Sequence, residues 1–227
     1  MRRPTIDVHL GSVASPLGEA LDVLDADERA RVQDFASLSG ARRFVAARAL
    51  LHRVVAEEGR MRGLDLSIVR GCGVCGARDH GAPRVDGAEL YVSSSRAGVV
   101  VGAALADAGP LGLDLAQTPA SEALAELRDV VLSARETAHV AAHEHQARAF
   151  AELWARKEAV VKATRVGIGD DLARLDVLDD VVAAPLNDGT TRHVRVVSVQ
   201  GPAGLAIAVA VVGTAGFGVR VRTSDGP

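Results

Sequence analysis

One segment in the second half of the sequence concentrates residues that can carry out acid–base and phosphate chemistry. It reads F-A-E-L-W-A-R-K-E-A-V-V-K over residues 150–162. On a helix, Trp154, Glu158 and Lys162 recur at i, i+4 and i+8, so the three side chains lie on one face. A core tryptophan beside a solvent-exposed Glu–Lys pair gives the same pattern, and such a pair stabilises a helix only modestly. The segment therefore predicts either a charged site or an ordinary surface pair.

Lysine is rare in this chain, and its placement bears on the choice. Lys157 and Lys162 are the two lysines of the sequence, and arginine carries the remaining basic charge. A lysine ammonium is a compact charge, whereas an arginine guanidinium is a planar fork. Two lysines within one segment indicate a site that needs an ammonium, although chance placement explains them as well.

A carboxylate lies in a second chemically unusual setting. Asp114 stands between leucines in L-G-L-D-L-A, residues 111–116, which is typical of an apolar strand. Burial of an unpaired charge is costly, and a divalent cation would supply the partner. Mg²⁺ typically binds one or two carboxylates together with phosphate oxygens and water. The alternative is an edge-strand aspartate that faces solvent.

Helices and strands that could position these residues follow from capping and periodicity. Capping boxes are expected at Asp25–Glu28 and Ser133–Glu136. We predict helices over 25–37, 41–58 and 146–164, with further helical signals from residue 121. Gly59 is expected to end the second of these helices. We predict strands over 64–69, 89–93, 99–106, 111–116, 173–178, 193–200, 203–212 and 218–222.

The two halves of the sequence are similar to each other. L-D-A-D-E-R-A-R-V at 24–32 aligns with L-S-A-R-E-T-A-H-V at 132–140, and an Ala-rich helix follows each segment. A repeat of about 108 residues predicts a duplicated α+β unit. We therefore expect an N-terminal lobe over 1–108 and a C-terminal lobe over 109–227.

These residues, in this order, resemble a known enzyme family. G-L-D at 112–114, followed by Glu158 in W-A-R-K-E-A-V-V-K, is similar to the surfactin-type (Sfp) 4'-phosphopantetheinyl transferases, whose signature is a G-I-D-I-E strand and a W-x-x-K-E-x-x-x-K helix. R-R-F-V-A-A-R at 42–48 resembles the arginine-bearing helix of that family. G-A-P at 81–83 resembles its G-K-P loop, and S-S-S at 93–95 its S-H-S strand end.

The resemblance implies an α+β fold with pseudo-twofold duplicated α/β lobes. It also implies transfer of the 4'-phosphopantetheine arm of coenzyme A to a serine of an acyl or peptidyl carrier protein, with Mg²⁺ as cofactor and 3',5'-ADP as product. Asp114 and Glu158 would hold Mg²⁺, Lys162 would contact the diphosphate, and Glu158 would take the serine proton. The remaining coenzyme A contacts would come from Arg31, Arg43, Arg48 and Ser94 at the 3'-phosphate, and from the backbone of Gly81, Ala82 and Pro83 at the adenine.

Three positions depart from the family pattern. Ala116 replaces the second acid of the strand, Ser94 replaces a phosphate-binding histidine, and Ala82 replaces the lysine of the loop. Asp114, Glu158 and the two lysines favour an active transferase. Ala116 and Ser94 favour a diverged homologue that keeps the fold and a coenzyme A cleft but acts by binding a partner.

Composition limits the other possibilities. The 227-residue chain has a formal net charge of −3, which argues against nucleic acid as a main partner. Its apolar runs are too short for a membrane span, and we expect no signal peptide. Cys72 and Cys75 fit a reducing cytoplasm; with His80 they could form part of a zinc site, but we interpret them as loop thiols. We expect a cytoplasmic monomer.

Overall fold

The computed structural model describes residues 3–14, 17–71, 81–165, 172–186 and 189–223. Within these residues the chain forms six α-helices, a 3₁₀-helix and ten strands, which confirms the α+β class. It divides into two compact units, 1–108 with 218–227 and 109–217. No helix in the described ranges combines the length and the apolar character that a membrane crossing requires. Cys72, Cys75 and His80 lie outside the described residues.

Along the chain the elements are β1 Thr5–Ser12, α1 Leu17–Asp22, α2 Ala26–Val32, α3 Leu38–Arg62, β2 Ser67–Val69, β3 Arg84–Asp86, β4 Tyr91–Ala97, β5 Val100–Ala106, β6 Leu111–Gln117, α4 Ser121–Val131, α5 Ala134–Ala142, α6 Gln146–Thr164, the 3₁₀-helix Leu172–Arg174, β7 Val181–Pro185, β8 Thr191–Val199, β9 Leu205–Val212 and β10 Gly218–Thr223.

A four-stranded sheet in the order β10-β1-β5-β4 forms the centre of the first unit, and α3 packs against it. Strand β1 is antiparallel to β5 and parallel to β10. Ile6, Val8 and Leu10 alternate along β1 and are buried in the core. A separate antiparallel pair joins β2 to β3.

Helix α3 is longer than the sequence predicts at both ends. Ser37 is its N-cap and accepts a hydrogen bond from the amide of Gly40, so this glycine lies in the first turn rather than in a break. Gly59 lies inside the helix and does not end it. Glycine is needed there because a side chain would collide with the carbonyl of Leu64. Gly63, in the left-handed conformation, ends the helix.

The second unit has an antiparallel sheet in the order β6-β9-β8-β7. Helix α6 packs across β6, β9 and β8, and α4 and α5 pack against α6. The predicted strand at 173–178 is wrong. The chain forms the 3₁₀-helix Leu172–Arg174 and then continues without regular secondary structure. Leu175 and Val177 nevertheless enter the core.

The last strand also differs from the expected division of the chain. The internal repeat placed residues 218–222 in the C-terminal lobe, but β10 pairs with β1 and belongs to the first unit. No strand is predicted from the sequence over residues 5–12, so β1 is not expected as the partner of β10. Arg220 and Arg222 reinforce the pairing through ion pairs of 3.3 Å to Asp7.

Strand connectivity is similar in the two units. In each, the first strand (β1 or β6) is antiparallel to the second strand of a hairpin (β5 or β9), and one long helix packs on the sheet. This agreement supports the predicted duplication, which remains a prediction.

Candidate active site

A close approach of β6 to α6 sets the geometry of the candidate site. A Cβ atom on Gly112 would lie 1.9 Å from the carbonyl oxygen of Ala159 and 2.7 Å from the amide nitrogen of Ala163. Glycine therefore permits direct contact between the two backbones. Because side chains alternate along a strand, Asp114 and Ala116 share the face of Gly112 toward α6.

Asp114 is a buried carboxylate that pairs with the lysine expected beside it. Its exposed fraction is 5%, so the alternative of a solvent-facing aspartate is wrong. The Nζ of Lys162 lies 2.6 Å from Asp114 Oδ1 and donates a second hydrogen bond to the carbonyl of Leu113 at 3.1 Å. The lysine thus bonds β6 to α6 across the site, and its ammonium contacts Asp114.

Glu158 is half-buried close to this pair. Burial raises its pKa above the ordinary value, the negative charge of Asp114 raises it further, and the positive charge of Lys162 offsets part of the effect. Two carboxylates near each other create a negative potential that favours a cation. The oxygen donors of Asp114 and Glu158 fit the ligand set of Mg²⁺, which takes one or two carboxylates plus phosphate oxygens.

The third acid expected from the family pattern is absent from β6. Ala116 is 8% exposed and packs in the apolar core of the second unit. The site on β6 and α6 therefore contributes two carboxylates from the described residues, as the sequence indicated.

Lys157 has a different role from Lys162. It is fully buried, and its Nζ lies 2.7 Å from Oε2 of the equally buried Glu136. It also donates to the carbonyls of Leu172, at 2.9 Å, and Leu175. These three acceptors match the three N–H groups of an ammonium, which explains a lysine here and not an arginine.

Glu136 and Arg156 complete this buried arrangement. Glu136 closes the predicted capping box with Ser133 and accepts from the amide of Val177 at 2.9 Å. Arg156 donates to the carbonyls of Val177 and Asp179, each at 2.7 Å. Arg156 and Lys157 therefore hold the segment 172–179 in place through hydrogen bonds. Glu158 and Lys162, farther along the same helix, lie at the candidate site instead. Trp154 packs against the core, as expected.

In the first unit, two of the three predicted phosphate-binding arginines lie beside the ring of a buried phenylalanine. The guanidinium groups of Arg31 and Arg48 lie 6.0 and 5.1 Å from the ring centroid of Phe44. Arg43 precedes Phe44 on α3. Arg48 is also 3.5 Å from Glu28, so a carboxylate already balances part of its charge.

A buried charge cluster around Glu28 was not predicted. Asp25 caps α2 as expected, and Glu28 binds His52 at 2.7 Å and Arg70 at 3.6 Å. Burial alone would raise the pKa of Glu28, but the hydrogen bond and charge of His52 and the charge of Arg70 hold it below its ordinary value. A metal ion could be held by Asp25, Glu28 and His52, whose ligand atoms all lie within 4.8 Å of one another. The arginines beside Glu28 already supply positive charge, so we interpret the cluster as structural.

Other predicted nucleotide contacts lie in the same unit. Gly81 has a φ of 106° and accepts a hydrogen bond of 3.4 Å from Arg70, and Ala82 and Pro83 lead into β3. Ser94 is half-buried on β4. Arg96 lies on the same strand, and burial together with the charges of Arg43 and Arg31 lowers its pKa.

Comparison with protein families gives a match in the second unit of the chain. No curated protein matches the chain. The family model of the 4'-phosphopantetheinyl transferase superfamily matches residues 110–210, the part that contains Asp114, Glu158 and Lys162. The part of the chain that carries the candidate site is thus similar to the 4'-phosphopantetheinyl transferase superfamily.

Proposed function

We propose that the protein is a surfactin-type transferase that moves the 4'-phosphopantetheine arm of coenzyme A to a serine of an acyl or peptidyl carrier protein. The observation that carries this proposal is the ion pair of Asp114 and Lys162 within the matched residues, with Glu158 close enough for both charges to act on its carboxyl group. A carboxylate pair and an ammonium are the groups that transfer from a diphosphate requires.

Each side chain has a defined task in this proposal. Glu158 takes the proton of the carrier serine, and its raised pKa makes it a better base than an ordinary glutamate. The serine oxygen bonds to phosphorus as the bond to the departing 3',5'-ADP breaks. Lys162 moves its ammonium from Asp114 toward the diphosphate, where it stabilises the leaving charge. Asp114 and Glu158 would hold Mg²⁺, which neutralises diphosphate charge when bound.

Coenzyme A would also contact the first unit. Arg31, Arg43, Arg48 and Ser94 bind the 3'-phosphate, and the backbone of Gly81, Ala82 and Pro83 binds the adenine. The positions of Arg31 and Arg48 beside the ring of Phe44 support the assignment. We propose that the active protein is a monomer that converts carrier proteins of fatty-acid, polyketide or peptide assembly lines.

A second candidate is a diverged homologue that binds coenzyme A and a partner without transfer. The buried, apolar environment of Ala116 favours it, because the family acid at this position is missing. Ser94, in place of histidine, favours it too.

Mass spectrometry of apo carrier proteins separates the two candidates. We expect a carrier incubated with the protein, coenzyme A and Mg²⁺ to gain the mass of one phosphopantetheine. Glu158→Gln should abolish the gain, whereas Glu152→Gln, on the same helix and paired with Arg148, should leave it intact. No gain across several carriers, with coenzyme A binding retained, would support the diverged homologue.

A further inference from the structure

Lys162 holds its ammonium less firmly than Lys157 does. The side chain of Lys162 is 31% exposed, whereas that of Lys157 is fully buried. In the part of the chain that the structure describes, the Lys162 ammonium donates two hydrogen bonds, to Asp114 Oδ1 at 2.6 Å and to the carbonyl of Leu113 at 3.1 Å. An ammonium has three N–H groups, so one remains for another acceptor. Lys162 can therefore change partners, which the enclosed Lys157 cannot do.

The same ammonium lies at the carboxylates that would hold a metal ion. Asp114 is buried, and Glu158 is close enough for the charges of Asp114 and Lys162 to act on its carboxyl group. A buried carboxylate needs a positive partner, and Lys162 is such a partner in this structure. While the ammonium stays there, its like charge would repel a divalent cation from Asp114. In its observed position Lys162 thus disfavours the binding of a free metal ion.

A diphosphate changes this balance because it offers the ammonium a second partner. Its oxygens are anionic acceptors, which form strong hydrogen bonds with an ammonium. The flexible four-carbon stem of lysine allows the ammonium to turn from one partner to the other. Asp114 then loses the ammonium and becomes a better ligand for a cation. Metal ion and diphosphate should therefore bind with positive coupling, each raising the affinity for the other.

We propose that Lys162 makes the site selective for a metal ion that is bound together with a diphosphate, over a free metal ion. Without the diphosphate, the ammonium pairs with Asp114 and keeps the affinity for Mg²⁺ low. With the diphosphate, the ammonium leaves Asp114 and the affinity rises. The identification of this diphosphate as that of coenzyme A rests on the proposed function. Lys162 thus determines metal specificity in addition to its contact with the leaving group.

Isothermal titration with Mg²⁺, with and without saturating coenzyme A, tests this role without any transfer reaction. After correction for Mg²⁺ binding by coenzyme A alone, the unchanged protein should bind Mg²⁺ at least about 10-fold more tightly with coenzyme A than without it. Lys162→Gln removes the charge but keeps a hydrogen-bond donor for Asp114. It should bind Mg²⁺ alone at least about 10-fold more tightly than the unchanged protein does. Asp114→Asn, added to Lys162→Gln, should abolish this gain.

Two control variants separate the charge at this position from a general loss of positive charge. Lys162→Arg keeps a cation beside Asp114, so it should bind Mg²⁺ alone as weakly as the unchanged protein does. Arg148→Met removes a cation from an ion pair of 3.0 Å with Glu152 on the same helix. It should leave the affinity for Mg²⁺ unchanged under both conditions.

Several outcomes would overturn the proposal, and one of them needs no variant. The unchanged protein would contradict it by binding Mg²⁺ equally well with and without coenzyme A. Lys162→Gln, or Lys162→Met if the glutamine variant does not fold, would contradict it by binding Mg²⁺ alone no better than the unchanged protein. If coenzyme A does not bind at all, the proposal and the transferase function are both wrong. If the Lys162-dependent difference is found but no carrier gains phosphopantetheine, the transferase function alone is wrong.

Discussion

Replacement of Lys157 by methionine tests the buried ion pair of the second unit. Methionine keeps the length and most of the volume of the side chain but removes its charge. Glu136 would then be a fully buried carboxylate that retains hydrogen bonds from the amides of Ser133 and Val177. The carbonyl oxygens of Leu172 and Leu175 would lose the hydrogen bonds that the Lys157 ammonium donates to them.

The structure sets the expected size of the effect. Removal of one partner from a buried ion pair costs about 3–5 kcal/mol, because the remaining charge stays uncompensated. Unpaired carbonyls add to this, although such contributions are not additive. We expect Lys157→Met to lower the free energy of unfolding by about 4 kcal/mol. A second change, Glu136→Gln, removes the uncompensated carboxylate charge. It keeps an amide oxygen that can accept a hydrogen bond from the backbone amide of Val177. The double variant should therefore be more stable than Lys157→Met by roughly 2 kcal/mol.

Urea unfolding gives a direct measurement. Trp154 is the sole tryptophan of the sequence and packs in the same core, so its fluorescence reports on the second unit. Arg148→Met, at an exposed ion pair on the same helix, is the control and should change stability by less than about 1 kcal/mol. The reasoning is refuted if Lys157→Met behaves like this control, or if the double variant is no more stable than the single one.

Further expectations concern the site and its supports. Lys162→Ala should reduce turnover in the carrier assay by roughly 100-fold, about 3 kcal/mol, while circular dichroism shows a folded protein; unchanged turnover would assign Lys162 a purely structural role. Because the pKa of Glu158 is raised, metal-free protein should lose stability as the pH rises from 4.5 through that raised pKa, and Glu158→Gln should flatten this dependence in thermal melts. Ala116→Glu should destabilise the metal-free protein, and Mg²⁺ with coenzyme A should raise its melting temperature by more than that of Ala116→Gln. Equal responses would exclude a metal ion beside position 116. Gly112→Ala should lower the free energy of unfolding by more than about 3 kcal/mol, because the added Cβ would collide with the backbone of α6. Gly18→Ala, where the added Cβ enters open space, should not have this effect. Similar values for the two variants would contradict the close approach of β6 to α6.

The sequence was most informative where residue type and spacing both constrain chemistry. An aspartate in an apolar strand and a Glu–Lys pair at i and i+4 identified Asp114, Glu158 and Lys162 as candidates, and the resemblance to a known family predicted that they act together. The hypothesis that the chain keeps lysine for its ammonium also fits Lys157, but there the ammonium is buried in the core.

Features that depend on tertiary contacts could not be read from the sequence. The segment 173–178 has the alternation of a strand, yet side chains of Lys157, Arg156 and Glu136 bind its backbone groups instead of a neighbouring strand. Gly59 looks like a helix terminator, but α3 continues past it. The glycine is required because the carbonyl of Leu64 lies too close for a side chain at this position.

The difference in exposure between the two lysines has a practical consequence for chemical labelling. Reagents that acylate primary amines find one side-chain amine, Lys162, that is 31% exposed, and one, Lys157, that is fully buried. In the folded protein, acylation of side-chain amines should concentrate at Lys162, and modification of Lys157 should require opening of the second unit. The ratio of the two modified peptides would then report unfolding, and the extent of labelling at Lys162 would report whether a ligand covers the site.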